Sequence, residues 1–155
     1  MKVFLSHSIA DKDLVTTFKN SCSKHGLQLL VAEHVVSVDN TITDKIESMI
    51  MESKVALFLL TTNGNNSKFV QQEIGYVQRE KKPALYIVQK GNDVTGFAYG
   101  RDFIELDVER PDLAIKKAIN RLLQHWNKLK ETEKKEKETA GLLIAGLIGL
   151  ILISD

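Results

Sequence analysis

The sequence predicts an α/β fold in which a five-stranded parallel sheet carries helices on both faces, followed by a C-terminal helical hydrophobic tail. Five short apolar runs, at residues 3–6, 27–32, 55–61, 84–88 and 103–106, alternate with amphipathic stretches. Three of these runs are nearly continuous in Val, Leu, Ile and Phe, as expected for strands that are covered on both faces. Strand and helix in alternation imply right-handed crossovers and therefore parallel pairing. With 155 residues and 43% hydrophobic content, the chain suffices for one compact domain but not for two.

Each predicted helix has an apolar stripe and a start or stop signal. The first begins at Asp11, a favoured N-cap, and Gly26 supplies its left-handed stop. The second covers residues 41–53, and the third is capped by Asn66 or Ser67. The glycine-rich connection 91–102 is expected to hold little regular helix.

The last helix begins at Pro111, because proline is favoured at the first helical position. The helix positions expected in the core share a spacing of three or four residues. They are Leu14, Phe18 and Cys22; Ile42, Ile46, Met49 and Ile50; Val70, Ile74 and Val77; and Ile115, Ile119, Leu122 and Trp126.

The composition changes twice beyond Trp126. Residues 129–139 are almost wholly polar, with Glu131 and Glu133 each four residues before a lysine, which favours a solvated helix. Residues 140–153 carry no charge. These changes predict a domain over residues 1–128, a charged helical linker over 129–139 and a hydrophobic tail over 140–155.

The hydrophobic tail, from Ala140 to Ile153, has several open interpretations. As a helix, its apolar part would be about 21 Å long, against a hydrocarbon core of about 30 Å. It could pack on the domain or on another copy, or serve as a short membrane anchor with the preceding lysines on the cytoplasmic side. Gly141, Ala145 and Gly149 fall four apart, a pattern by which apolar helices approach closely. Coincidence in a Gly- and Ala-rich run is the alternative.

Charge, cysteine content and missing motifs narrow the function classes. The formal net charge is +1, from 21 basic and 20 acidic residues, so nucleic acid is not a predicted partner. The single cysteine, Cys22, excludes an internal disulfide and fits a reducing, cytoplasmic compartment. The four histidines lack zinc-type spacing, so no metal site is predicted. G-x-G-x-x-G, P-loop and G-x-S-x-G motifs are absent, which argues against classical dinucleotide-binding, P-loop NTPase and α/β-hydrolase sites.

Ligand sites in parallel sheets form beyond the carboxyl ends of the strands, where strand order reverses. This rule selects Ser6, His7 and Ser8 after the first run, His34 after the second, and the segment around Ser67 after the third. Turn and capping roles are the alternative for the polar residues of the first loop.

Glu73 lies on the apolar stripe of the third helix, where burial of a charge is costly. It is either an edge carboxylate that pairs with a nearby Lys or Arg, or an acid used in a cleft at the top of the sheet. Phe69, one turn earlier, would then form an aromatic wall beside it. An acid in a partly apolar pocket can stabilise an oxocarbenium ion or hold ribose hydroxyls.

Three segments resemble the Toll/interleukin-1 receptor (TIR) domain family, especially its microbial NAD-cleaving members. "KVFLSHSIADKDLVTTF" resembles the first strand and loop of TIR domains, and "KPALYIV" resembles their fourth strand. "SKFVQQEIGYV" resembles the segment in which an aromatic, often Trp, precedes a glutamate by four residues. The resemblance covers residues 1 to about 128 and implies a flavodoxin-like sheet.

The resemblance implies an enzyme that cleaves the nicotinamide–ribose bond of NAD and releases nicotinamide with ADP-ribose or cyclic ADP-ribose. It implies a role in signalling or defence and activation by self-association, with NAD as substrate and no cofactor. The catalytic residue would be Glu73, and the substrate-binding residues would be Ser6, His7, Ser8, His34, Ser67 and Phe69. The chain has Phe at position 69 where Trp is common, so an indole hydrogen bond is absent. The loop after the second run also lacks the Pro and Gly often found there, which affects partner contacts more than the chemistry.

Two other functions stay open. The chain could be a non-catalytic module that binds other TIR domains through residues 34–40. It could also be a nucleoside deoxyribosyltransferase-like enzyme, because such proteins use a glutamate ahead of Ile-Gly.

Overall fold

The computed structural model describes residues 1–32 and 44–153 of the chain. The strands are β1 (Lys2–Ser6), β2 (Gln28–Val31), β3 (Val55–Leu60), β4 (Ala84–Gln89) and β5 (Phe103–Leu106). The helices are α1 (Lys12–Ser23), α2 (Asp44–Glu52), α3 (Thr62–Asn65), α4 (Lys68–Arg79) and α5 (Asp112–Ile153). Short 3-10 turns cover Ile9–Asp11 and Gly96–Ala98.

All five strands pair in parallel, in the order β2-β1-β3-β4-β5. This is the flavodoxin-like arrangement, and it confirms the predicted sheet. Every strand ends within one residue of its prediction. The strand order reverses between β1 and β3, where Ser6 is the partner of Phe58. The carboxyl ends of these two strands therefore form the crevice in which such folds bind ligands.

The sheet is buried on both faces, which explains why its strands are almost continuous in apolar residues. All six residues of β3 are buried. One face packs against Ile46 and Ile50 of α2 and against Val70, Ile74 and Val77 of α4. Because side chains alternate along a strand, Leu5, Leu57 and Leu59 point to the opposite face. The apolar sides of α1 and of the first turns of α5 supply further buried residues.

Several local predictions need correction. α1 begins at Lys12 after a 3-10 turn, and the Asp11 side chain makes no capping hydrogen bond. The one-turn helix α3 was not predicted. The cap of α4 was predicted at Asn66 or Ser67, and the structure confirms Ser67, which accepts a hydrogen bond from the Val70 amide. Pro111 precedes α5, and its carbonyl accepts the first helical hydrogen bond, from the Ile115 amide at 2.9 Å.

The other helix predictions fare better. Gly26 has a φ of +70°, in agreement with its predicted stop. The connection 91–102 holds one short 3-10 turn, as expected. The expected core positions are buried except for Leu14, Met49 and Trp126, which are partly exposed. The part of the second predicted helix before Asp44, with Ile42, lies outside the described residues.

The chain divides into two compact units, Met1–Asn120 and Arg121–Asp155. In the second unit, α5 runs without a break to Ile153. The apolar side chains Leu142, Leu143 and Ile144 are 75%, 66% and 58% exposed. Among the described residues, no helix is both long and apolar enough to cross a membrane. The domain boundary predicted at residue 128 stays a prediction.

Candidate active site

The candidate site lies at the carboxyl end of β1, beside the point where the strand order reverses. Ser6 is the last residue of β1 and is fully buried. It has the same orientation as Phe4, two residues earlier, whose side chain belongs to the cluster that packs against α4. The strand therefore directs the Ser6 hydroxyl toward α4.

Glu73 reaches the same place from α4. Its position falls on one stripe with Val70, Ile74 and Val77, all of which are buried. Three of the four residues on this inner stripe are apolar, so the helix packs on the sheet and carries the carboxyl group inward with them. Glu73 is only 1% exposed, which does not fit an exposed edge carboxylate.

Ser6 and Glu73 are in direct contact. The Ser6 hydroxyl donates a hydrogen bond to Oε2 of Glu73, across 67 positions of sequence. The contact joins the end of β1 to the middle of α4. The structure thus brings together the predicted catalytic residue and one of the predicted substrate-binding residues.

Burial controls the protonation of Glu73. Desolvation raises the pKa of the carboxyl from its ordinary value of 4.5 to about 8, and the hydrogen bond from Ser6 offsets only part of that rise. The group is therefore mostly protonated at neutral pH. A positive charge placed beside it would favour the carboxylate and lower its pKa.

The other predicted residues of the first loop have structural partners. The His7 side chain is buried, and its Nδ1 donates to the Ser8 carbonyl at 2.6 Å. The Ser8 hydroxyl accepts from the Ala10 amide at 3.4 Å and caps the 3-10 turn. This agrees with the capping role that the sequence left open for the loop. In this cap the Ser8 oxygen accepts a hydrogen bond, so the hydroxyl proton is not used.

Of the remaining predicted site residues, Phe69 and Ser67 lie at the start of α4. Phe69 is half-buried and lies one turn before Glu73 on α4. Ser67 caps that helix. His34 lies outside the described residues. Their substrate-binding roles, with those of Ser6, His7 and Ser8, stay predictions. Within residues 1–32 and 44–153, no group of three or more His, Cys, Asp or Glu side chains could hold a metal ion.

A buried hydrogen-bond chain, which sequence reasoning missed, ties the loop after β1 to the loop after β3. The Thr61 hydroxyl donates to Oδ2 of Asp11 at 2.7 Å and accepts from the Gly64 amide at 3.0 Å. Asp11 is 9% exposed. A Cβ at Gly64 would lie 2.3 Å from the Leu59 carbonyl oxygen, so only glycine lets α3 pack this closely on β3.

The sequence signal for these hydrogen bonds was the polar Thr61 at the end of an otherwise apolar run. Asp11 looked like a helix cap, and its partner lies 50 residues away. Nothing local distinguishes the two roles, because an aspartate before a helix suits both.

Comparisons with known proteins agree with this fold. A family model described as TIR domain matches residues 3–123. The chain is similar to a TIR domain in the crystal structure of the RPS4 and RRS1 TIR domain heterodimer, with a TM-score of 0.56 and 14% identity. That match covers 80% of this chain and 97% of the other. A prokaryotic SEFIR domain gives a TM-score of 0.53 and 18% identity, over 77% and 96% of the two chains. At these identities the structural matches show the fold alone, and no curated protein matches the chain.

Proposed function

The chain belongs to the TIR domain family, and from this premise we propose that it cleaves the nicotinamide–ribose bond of NAD. One observation carries the proposal. A carboxyl group, on Glu73, is buried at the switch point of the sheet and held there by the hydroxyl of Ser6. Ligands bind at such switch points, and perturbed acids in these crevices are candidates for catalysis.

The proposed chemistry needs a negative charge beside the nicotinamide ribose. The bond between C1′ of the ribose and the ring nitrogen breaks, and its electron pair neutralises the pyridinium ring, so nicotinamide leaves uncharged. The positive charge then lies on the ribose, where the Glu73 carboxylate stabilises it. The oxygen of a water molecule attacks C1′ and loses a proton, which gives ADP-ribose. Attack by the adenine ring of the same molecule gives the cyclic product.

The raised pKa of Glu73 suits this substrate. Without ligand, burial keeps the carboxyl mostly protonated at neutral pH, so the protein avoids the cost of a buried charge. Bound NAD brings a cationic ring to the site, and the attraction between unlike charges favours the carboxylate. The acid therefore ionises when the substrate that needs it arrives. The Ser6 hydroxyl holds Oε2 in place in either state, because a carboxylic acid also keeps an acceptor oxygen.

The neighbouring residues have subsidiary roles in this proposal. Phe69 supplies apolar surface for the ring or the ribose. Ser8 and Ser67 use their oxygens as caps, which leaves their hydroxyl protons to donate to hydroxyl or phosphate oxygens of NAD.

The decisive test is Glu73→Gln, which keeps the shape of the side chain and removes its charge. Full-length protein at high concentration is incubated with NAD, and the products are separated by chromatography. We expect nicotinamide release from the wild type and a loss of at least about 100-fold in the variant, as for removal of a transition-state charge partner. Glu80→Gln is the matched control, because it removes an exposed carboxylate just beyond the same helix. An unchanged rate in Glu73→Gln would defeat the assignment.

The same experiment separates the alternatives. If the wild type releases no nicotinamide at any concentration, a non-catalytic TIR–TIR interaction module becomes the better description. If free nucleosides are cleaved or exchanged and NAD is not, the nucleoside deoxyribosyltransferase-like function is supported instead.

Self-association is the second part of the proposal, and the exposed tail of α5 supports it. Leu142, Leu143 and Ile144 leave apolar surface uncovered in the single chain, and such surface usually marks an interaction site. Gly141 and Ala145 would let a second tail approach closely. We expect a variant that ends at Glu138 to form smaller assemblies by light scattering and to cleave NAD more slowly per molecule. An unchanged assembly size would remove this role from the tail.

A further inference from the structure

A surface pocket of about 390 Å³ lies at the amino end of β4, at the opposite end of the sheet from Ser6. Three cationic side chains line it, Lys81, Lys82 and Arg101, against one acidic side chain, Asp102. The chain as a whole is close to neutral, with a formal net charge of +1. The pocket is therefore a local concentration of positive charge.

The backbone at Lys81 is unusual. Its φ of 52° is left-handed and, among the described residues, Lys81 is the only non-glycine with a positive φ. The Lys81 amide bonds to the Gln78 carbonyl at 3.0 Å and the Lys82 amide to the Val77 carbonyl at 3.1 Å, which is the Schellman motif. Glycine is the usual residue at this position, because a Cβ is disfavoured there. A lysine here is explained if its cation is needed where the helix ends.

Lys82 is held in place rather than dispersed in solvent. Its Nζ donates a hydrogen bond to the Ser53 carbonyl. Partial burial and repulsion from Lys54 lower the pKa of Lys82, and attraction to Glu80 offsets part of this. A bound anion would relieve the repulsion and compensate the burial.

We propose that Lys81, Lys82 and Arg101 form a binding site for a small phosphate-bearing anion. The arginine fork suits two phosphate oxygens at once, and each lysine acts as a point charge. Tyr86 completes the floor. Its hydroxyl accepts a hydrogen bond from Gln78 at 3.4 Å, which leaves the phenolic proton to donate to an oxygen of the anion. The volume is in the range of small-molecule sites. This site is separate from the proposed NAD chemistry, because it lies at the other end of the sheet.

Isothermal titration of the full-length protein with inorganic pyrophosphate tests the site. The double variant Lys81→Gly, Arg101→Gln removes two cations and gives the left-handed position the residue that it favours, so folding is preserved. We expect it to raise the Kd at least about tenfold, because the loss of even one charge-assisted hydrogen bond has about that effect. The control Lys24→Gln, Lys116→Gln removes two exposed cations elsewhere and should change the Kd less than about twofold.

Three results would overturn the proposal. The first is no binding by the wild type at physiological ionic strength. The second is equal weakening in the control, which would indicate diffuse charge attraction. The third is normal binding in the double variant, which would place the pyrophosphate elsewhere on the protein. Pyrophosphate binding is measured without NAD turnover, so this site can fail or stand independently of the NAD reaction.

Discussion

Replacing Glu73 by glutamine should stabilise the protein, and the gain should grow as the pH rises. The carboxyl is 1% exposed, and burial raises its pKa from 4.5 to about 8. Below pH 4.5, the side chain is protonated in both the folded and the unfolded chain, so ionisation has no effect on stability. Between pH 4.5 and 8, the unfolded chain is ionised while the folded chain retains the proton. Stability is lost through this window, and the loss is complete above pH 8.

The size of the effect follows from the two pKa values. Each pH unit between them corresponds to 1.36 kcal/mol, so the window from 4.5 to about 8 corresponds to about 5 kcal/mol. Glutamine accepts the hydrogen bond from Ser6 through its carbonyl oxygen and carries no charge at any pH. The difference in unfolding free energy, variant minus wild type, should therefore increase by about 5 kcal/mol between pH 4 and pH 9.

Urea denaturation, followed by circular dichroism at pH 4, 6, 7.5 and 9, measures this difference directly. Every other titrating group contributes equally to both proteins and cancels. Glu105→Gln, which removes an exposed carboxylate from β5, controls for the loss of one negative charge. Parallel stability curves for wild type and Glu73→Gln would refute the reasoning. If the unfolding free energy of the variant fell relative to that of the wild type as the pH rises, the fold would stabilise the carboxylate instead.

Three further predictions concern the pH dependence of NAD cleavage, the buried hydrogen bond of Thr61 and the backbone at Lys81. In NAD cleavage, kcat/KM should rise with pH and level off above about 8, because the free protein must ionise Glu73; a flat profile from pH 6 to 9 would contradict this. Thr61→Val should lower the unfolding free energy by about 2 kcal/mol, because the buried Asp11 carboxylate loses its donor. Thr61→Ser should recover most of that loss in urea denaturation, and equal losses would point to packing alone. Lys81→Gly should raise the unfolding free energy by about 1 kcal/mol by relieving the left-handed backbone, and a lower melting temperature would rule this out.

The sheet could be predicted from sequence because burial on both faces leaves a strong local signal. A strand such as β3, with all six residues buried, must be apolar throughout, and any polar residue marks its end. The position of Glu73 was equally visible, because the stripe of Val70, Ile74 and Val77 fixes which side of α4 faces the sheet. Each of these patterns lies within a single helix or strand, so it can be read from the local sequence.

The hydrogen bonds of the site could not be predicted in the same way. Asp11 suits a helix cap by every local criterion, yet its carboxylate bonds to Thr61, which the sheet brings alongside from 50 residues away. The one-turn helix α3 has a weak local signal, because its glycine and asparagines are poor helix formers. It forms because Gly64 can pack against the carbonyl of Leu59. In both cases the local structure depends on a residue that only the folded protein brings close, and the sequence does not reveal which residue that is.

The burial of Glu73 is itself an argument for chemistry over structure. A neutral amide would supply an acceptor for the Ser6 hydroxyl without the loss of stability above pH 4.5. An acid brings one property that the amide lacks, the ability to become negative inside an apolar crevice. That property is useful only if something positive reaches the crevice. The nicotinamide ring of NAD, and the ribose cation left when the ring departs, both meet this requirement. Sites that sacrifice stability in this way are where function is concentrated.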